Sequence, residues 1–220
     1  MPATVRYDEQ HCPIARALDV LGDRWTLLIL RELTAGDRRF TDLRDALPGI
    51  APTLLTQRLR TMAADGLLAS KELPPPAARS VYTITPRGRE TVPVLRALVR
   101  WGMPLLEEAG PDDVVRPWSA VSIALTAYFD PAMAAGIDER YRLEIDGQPF
   151  ELSSVAGGGE PRAEADLALA MSAKTLLDIR QGRVTLPDAI ASGAVRKTGT
   201  AKALANFTKV FRVDRPAVAR

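Results

Sequence analysis

Apolar positions recur at helical spacing through the first half of the chain and alternate in short stretches of the second half. The first amphipathic helix is predicted over 13–21. Asp23 is placed to cap the next helix, and Thr41 to cap a third one that Pro48-Gly49 breaks. These patterns predict three helices before residue 50.

A fourth helix is predicted from the stretch "APTLLTQRLRTM" (51–62), with Pro52 at its first position. Its hydrogen-bonding side chains fall on one face, namely Thr53, Thr56, Gln57 and Arg60. Leucines and a methionine form the opposite face, and no carboxylate occurs between Asp45 and Asp65. The helix therefore combines an apolar back with a polar front that carries no negative charge.

Two strands and a long helix are predicted next. The strands "LLASKEL" and "SVYTIT" flank a proline-rich tip, and the helix runs over about 86–108 from Thr85-Pro86. The following stretch, "GPDDVVRP", holds turn formers without periodicity, so we place the domain boundary there. The predicted organisation is a first domain over 1–110, a linker over 111–117 and a second domain over 118–220.

The second half has a different pattern. Alternating apolar residues on both sides of Asp146-Gly147 predict a β-hairpin. The remaining predicted elements are a helix over 118–129, a strand in "ADLALAM", a helix capped by Ser172, a short helix from Thr185, a strand over 195–199 and a helix over 200–211. This order predicts an α+β domain with a small mixed sheet covered by helices.

Composition narrows the classes of function. The net charge is only +2, so any nucleic-acid binding must come from a local arrangement of charges. One cysteine and one histidine are too few for a typical zinc site or for a catalytic triad, and no nucleotide-binding fingerprint occurs. We therefore expect that the protein is not an enzyme and that it binds no cofactor or metal. The lack of a signal layout and of an apolar run of about 20 residues favours a cytoplasmic protein that does not enter a membrane.

The order of elements in the first half is that of a winged helix-turn-helix, whose last short helix enters the major groove of DNA. Thr53, Thr56 and Gln57 on the fourth helix can bond base edges, whereas arginines neutralise phosphates. The predicted phosphate or minor-groove contacts are Arg38, Arg39, Arg58, Arg60 and Arg79, with Thr41 at a helix start suited to phosphate. A plain solvated helix face is the alternative for the same side chains.

From Cys12 to about Leu105 the sequence resembles the HxlR family of bacterial winged-helix transcription regulators. The stretches that carry this resemblance are "CPIARALDVLGDRWTLLILREL", "RRFTDLRDALPGIAPTLLTQRLRTMAADGLL" and "YTITPRGRE". It implies a homodimer, built on the N-terminal segment and the helix after the wing, that binds a roughly palindromic operator. The sequence departs from the family at Ala51, where a Ser or Thr cap is usual, and this should weaken the helix start by about 1 kcal/mol.

Cys12 raises a second question from the same resemblance, since relatives often carry a cysteine here and some use it to sense oxidants or electrophiles. Pro13 begins a helix directly after it, and helix N-termini stabilise thiolates. The alternative is a small buried residue at a dimer interface. Cys12 is therefore a candidate redox switch.

The second half resembles the sterol carrier protein type-2 domain over roughly 118–213. The carrying stretch is "DLALAMSAKTLLDIRQGRVTLPDAIASGAVRKTG". In that fold, a sheet and its helices enclose an apolar tunnel for lipid or another hydrophobic molecule. The candidate lining residues are Phe129, Leu143, Ile145, Phe150, Leu169, Met171, Leu176, Phe207 and Phe211. The same residues can equally form a filled core.

The sequence thus predicts a homodimeric, DNA-binding transcriptional regulator, more specifically a repressor, whose second domain senses a hydrophobic small molecule. One alternative is a thiol-switched regulator that responds through Cys12 and has a merely structural second domain. Another is a lipid-binding carrier that uses its helix-turn-helix only to dimerise.

Overall fold

The computed structural model describes residues 11–73, 79–107, 115–155 and 164–213. The chain divides into two compact units, Met1–Leu95 and Arg96–Arg220. The first four residues of the predicted linker, 111–114, lie outside the described residues. In the described ranges, each helix is too short or too polar to cross a lipid bilayer.

In the part of the first unit that the structure describes, four helices precede the wing, namely α1 (Pro13–Leu21), α2 (Arg24–Thr34), α3 (Phe40–Ala46) and α4 (Pro52–Ala64). Asp23 caps α2 as predicted, because its carboxylate accepts a hydrogen bond of 2.9 Å from the Trp25 amide. Ile29, Leu43 and Leu55 are fully buried in one apolar core that α2, α3 and α4 share. Burial of these apolar faces, rather than local propensity, supplies most of the stability of such short helices.

Two antiparallel strands, β1 (Leu68–Leu73) and β2 (Arg79–Ile84), form the predicted wing. The predicted tip, 74–78, lies outside the described residues. Arg38 adds a third segment to this sheet, since its amide and carbonyl pair with Tyr82 at 3.0 and 2.7 Å. Helices α2 to α4 with this wing constitute a winged helix-turn-helix.

The prediction that Thr41 caps the third helix is wrong. Helix α3 begins at Phe40, with Arg39 in the capping position, so Thr41 lies inside the first turn. Asp42 supplies the closing hydrogen bond instead, because its carboxylate accepts from the Arg39 amide at 2.9 Å.

The prediction of a single long helix after the wing is also wrong. The structure has two helices there, α5 (Pro86–Arg89) and α6 (Val92–Gly102), followed by a 3-10 turn at Met103–Leu105. Pro93 has no amide proton to donate to the carbonyl one turn earlier, so a continuous helix would lose a hydrogen bond there. A proline is tolerated in the first turn of a helix, which is where α6 places it.

The second unit is built on a four-stranded mixed sheet of order β4-β3-β5-β6. The strands are β3 (Arg140–Ile145), β4 (Gln148–Ser153), β5 (Leu167–Met171) and β6 (Arg196–Gly199). β3 runs parallel to β5, and the other pairs are antiparallel. The predicted hairpin is confirmed, with Asp146 and Gly147 both at positive φ in the two-residue turn.

Among the described residues, five α-helices accompany this sheet, namely α7 (Pro117–Ala124), α8 (Pro131–Ala134), α9 (Ala173–Arg180), α10 (Leu186–Ala191) and α11 (Ala201–Val210). Ser172 and Thr185 cap α9 and α10 as predicted. Tyr141, Leu143 and Ile145 alternate on the buried side of β3, in a core to which α7, α9, α10 and α11 contribute. The sequence pattern did not predict the short helix α8.

Arg180 is the largest side chain in this core and is only 1% exposed. Its guanidinium donates to the carbonyls of Ala124, Phe211 and Arg212 at 2.7, 2.8 and 2.9 Å. It also lies 4.1 Å from the centre of the Tyr128 ring. Because a buried charge is tolerated only when it is hydrogen-bonded, this arginine ties α9 to the ends of α7 and α11.

Candidate nucleic-acid interface

Helix α4 presents two chemically different sides. Leu55, Leu59 and Met62 are buried and fix the helix on the core of the first unit. Thr53, Gln57 and Arg60 are exposed on the other side. This arrangement follows from the spacing of apolar residues along the helix, and it leaves an amide, a hydroxyl and a guanidinium facing outward.

Thr56 also belongs to this polar side but is half-buried. Its hydroxyl donates to the Pro52 carbonyl at 2.9 Å, one turn back along α4. The oxygen can still accept a hydrogen bond, and the methyl group can contact an apolar group such as the thymine methyl.

Arg58 occupies a different environment from Arg60. Its Nη2 atom lies 2.7 Å from Oδ2 of Asp23, and only 27% of its side chain is exposed. The sequence predicted a phosphate contact for Arg58, but in the structure this guanidinium is engaged by a carboxylate of its own unit. The ion pair joins α4 to the start of α2, and no local pattern in the sequence predicts it.

Three further predicted phosphate contacts lie at the start of α3 and directly before it. Arg39 is exposed, and its Nε atom lies 3.4 Å from the Asp42 carboxylate, which is a surface ion pair of low energy. Arg38 is half-buried, and its Nε atom is 3.5 Å from the Glu32 carbonyl. Thr41 is exposed in the first turn of α3. Arg39 and Thr41 are therefore the more accessible of the three.

Arg79 was predicted to lie at the wing tip. Its backbone pairs with Leu73 at the end of the β1–β2 ladder, and its side chain lies outside the described residues. Lys71 is an exposed cation on the neighbouring strand that the sequence reasoning did not single out. Both positions are at the distal half of the wing.

The start of α4 has the weakness expected from Ala51. This residue is exposed and in the capping position, and no side chain caps the helix there. Pro52 follows it at the first helical position as predicted. The free amides of this first turn remain available to an acceptor from outside the helix.

Cys12 is half-buried and occupies the capping position of α1, directly before Pro13. Its carbonyl accepts from the Arg16 amide at 3.1 Å, which closes the first turn. Its role as a redox switch stays a prediction. Among the described residues, no three side chains of the metal-ligating types come together.

All nine predicted ligand-lining residues lie in the core of the second unit. Seven are buried, and Phe129 and Phe150 are partly buried against them. Aromatic rings make direct contacts, with centroids 5.2 Å apart for Tyr141 and Phe207 and 5.0 Å apart for Phe207 and Phe211. The structure brings these side chains together, and a tunnel between them stays a prediction. A separate open depression of about 270 Å³ is polar, with Glu144, Asp146 and Arg196 in its wall.

Comparison with known proteins identifies the first half of the chain. The model of the HxlR-like helix-turn-helix family matches residues 20–109. The uncharacterized HTH-type transcriptional regulator sll1512 of Synechocystis is 42% identical over 97 residues, which make up 44% of this chain and 72% of that regulator. A second such regulator, Mb3122 of Mycobacterium bovis, is 39% identical over 40% of this chain and 56% of its own length.

Among solved structures, the reduced form of the transcriptional regulator YodB from B. subtilis is 26% identical, with a TM-score of 0.39, over 46% of this chain and 100% of YodB. The family match covers α2 to α6 and the wing, and the match to sll1512 spans 72% of that regulator. The chain therefore belongs to the HxlR-like helix-turn-helix family of DNA-binding transcriptional regulators.

Proposed function

We propose that this protein is a cytoplasmic, homodimeric repressor that reads duplex DNA with α4. The observation that carries this proposal is the exposed side of α4, where Thr53, Gln57 and Arg60 face outward without a neighbouring carboxylate on the helix. An amide can bond a base edge in two places, and a guanidinium can pair with phosphate or guanine. A carboxylate on this side would repel the phosphate backbone.

The accessible cations around α4 extend this surface. Arg39 lies before α3, and Lys71 lies on the wing, so both can contact the DNA backbone on either side of the groove. The first turn of α4 has no side-chain cap, so its amides add donors suited to phosphate.

The proposed dimer uses apolar side chains that the described chain leaves exposed. On α1 these are Ile14 and Leu18, and on α6 they include Leu98 and Trp101. Large exposed apolar side chains of this kind are typical of interfaces. The family resemblance assigns the same two regions to dimer formation, and a two-fold dimer matches a palindromic site.

For the second unit we infer a sensing role, with a hydrophobic small molecule bound among the apolar residues of the sheet and its helices. The inference is supported by the resemblance to the sterol carrier fold and by a core rich in aromatic rings. A ligand that binds one arrangement of the dimer better than another shifts the population between them, and with it the affinity for the operator.

DNA reading is tested by selection of duplexes from a randomised library with the full-length protein. We expect enrichment of a sequence with two related half-sites about one helical turn apart or a multiple of it. Competition against a scrambled duplex of the same base composition then measures the preference. Binding without enrichment would contradict the proposed function and would favour a carrier that uses the fold only to dimerise.

Ligand binding is tested by native mass spectrometry of gently purified protein, with solvent extraction of anything bound. A dimer with additional mass of a few hundred daltons supports the sensing role and supplies a candidate for operator-release assays. A dimer at the bare chain mass, together with no change in thermal stability across a panel of fatty acids and sterols, would contradict it.

A further inference from the structure

Asp23 makes two interactions at once. Its Oδ1 atom accepts the Trp25 amide at 2.9 Å, which caps α2, and its Oδ2 atom lies 2.7 Å from Nη2 of Arg58 on α4. Both side chains of the ion pair are only about a quarter exposed, at 26% for Asp23 and 27% for Arg58. One carboxylate therefore connects the start of α2 to the middle of the helix that faces DNA.

Arg58 differs from its neighbours on α4 in direction as well as in partner. Successive helical residues are rotated by about 100°, so Arg58 points well away from Gln57 and Arg60, which lie close together on the exposed side. Its side chain runs along the flank of α4 towards α2, and its Nε atom is buried without a hydrogen-bond partner. Removal of the carboxylate would free a charged group whose long side chain can swing out to solvent.

We propose that Asp23 is a specificity-determining residue, because its carboxylate holds Arg58 away from DNA phosphates and fixes α4 against α2. A cation that contacts phosphate raises affinity for every sequence alike and adds to the salt dependence of binding. By engaging Arg58, Asp23 removes one such phosphate contact. Residues that bond base edges, such as Gln57, then contribute a larger share of the binding energy. This inference rests on the proposed use of α4 as the helix that reads DNA.

The test uses Asp23→Asn in the full-length dimer. Asparagine caps a helix as well as aspartate does, so α2 keeps its start while the charge that engages Arg58 is lost. The probes are the duplex selected by the wild-type protein and a scrambled duplex of the same composition. We expect Asp23→Asn to bind the scrambled duplex several times more tightly and to steepen the salt slope by about one unit per protomer.

Variants of the two arginines separate a released contact from a structural effect. Arg58→Gln alone should leave the salt slope unchanged, whereas Arg60→Gln should flatten it by about one unit per protomer. The double variant Asp23→Asn/Arg58→Gln should return the slope to that of the wild-type protein. Thermal melting checks that each variant is folded. If Asp23→Asn does not fold, the salt slope of Arg58→Gln still tests whether Arg58 contacts phosphate in the wild-type protein.

Two results would overturn the role of Asp23. One is a flatter slope in Arg58→Gln, equal to that in Arg60→Gln, since Arg58 would then already contact phosphate. The other is an unchanged slope and unchanged scrambled-duplex affinity in folded Asp23→Asn. A wild-type protein that enriches no duplex contradicts the proposed function itself, whereas normal enrichment with either of these slopes contradicts only the role of Asp23.

Discussion

Gln57 and Arg60 lie about one turn apart on α4, yet their side chains should contribute differently to DNA binding. Gln57→Ala removes a group that can bond a base edge at two points, so it should cost roughly 1–3 kcal/mol on the preferred duplex and relax the preference at one position. Arg60→Ala should weaken all sequences alike and flatten the salt slope by about one unit per protomer. Competition binding against singly substituted duplexes measures both effects. Equal loss of preference in the two variants would contradict this division.

Gly88 illustrates a residue whose lack of a side chain is required by packing. A Cβ atom at this position would lie 2.0 Å from the Leu67 carbonyl oxygen and 2.8 Å from a side-chain carbon of Ile84. Because α5 would have to move off the wing, Gly88→Ala should destabilise the first unit by about 1–3 kcal/mol. Gly102→Ala is the matched control, since its Cβ would meet nothing within 4 Å. Urea unfolding of both variants measures the difference, and equal stabilities would refute the packing argument.

At the scale of single residues, the sequence predicted the roles of residues that act on their near neighbours in the chain. Asp23, Ser172 and Thr185 cap helices as expected, because a capping bond depends only on the next few residues. Thr41 does not cap α3, since the competing Asp42 one residue later closes the first turn. The pairing of Arg58 with Asp23 was not predictable from spacing, because it depends on how α4 packs on α2.

At the scale of elements, periodicity located nearly all helices and strands but not their interruptions. The hairpin around Asp146-Gly147 was predictable because alternation and turn chemistry agree there. The apolar positions that predicted the long helix begin only at Val92, so periodicity does not report where α5 ends and α6 begins. The pairing of Arg38 with Tyr82 was missed because a single bridge has no repeating pattern.

The end of α11 provides an element-scale prediction. Arg212, at positive φ two residues after the end of α11, donates from Nε to the Asp130 carboxylate at 2.9 Å, and Asp130 in turn caps α8. The hydrogen bond from Arg212 is the main cause that lowers the pKa of Asp130 below its usual value, while desolvation opposes it. A carboxylate with a lowered pKa in the folded state contributes stability above the pKa of the unfolded chain, and this contribution is lost as the pH falls through the folded-state value.

Asp130→Asn keeps a capping side chain but has no charge to titrate. We therefore expect the melting temperature of the wild-type protein to exceed that of the variant at neutral pH, with the difference shrinking below about pH 4. The difference in melting temperature between the wild-type protein and Arg212→Gln should also shrink at acidic pH. Differential scanning calorimetry between neutral and acidic pH measures both differences. A difference in melting temperature that stays constant with pH would contradict the ion pair as its source.

At the scale of the whole molecule, the two units were predictable to different depths. The order of helices and wing specifies a DNA-binding family, and residues 20–109 match its model. The α+β class of the second unit also followed from sequence pattern. The sequence pattern does not distinguish a ligand tunnel from a filled core in that unit, because Leu143, Phe207 and Phe211 would be apolar in either case. Periodicity reports burial, and burial is common to both.

Assembly is the last property that belongs to the whole molecule. Trp101 is 71% exposed on α6, and an exposed tryptophan contributes little to the stability of its own chain but a large area to an interface. Trp101→Glu should therefore shift the protein from dimer towards monomer without lowering the melting temperature of the isolated chain. Met133→Glu is the matched control, because Met133 is an exposed apolar residue on α8 outside the two helices of the proposed interface.

Light scattering coupled to size-exclusion chromatography measures the mass of each variant, and binding to the selected duplex measures the consequence for DNA affinity. A monomer should lose most of its affinity for a two-half-site duplex while it retains weak binding to one half-site, since each protomer carries its own α4. A Trp101→Glu protein that remains dimeric with unchanged DNA affinity would place the interface elsewhere.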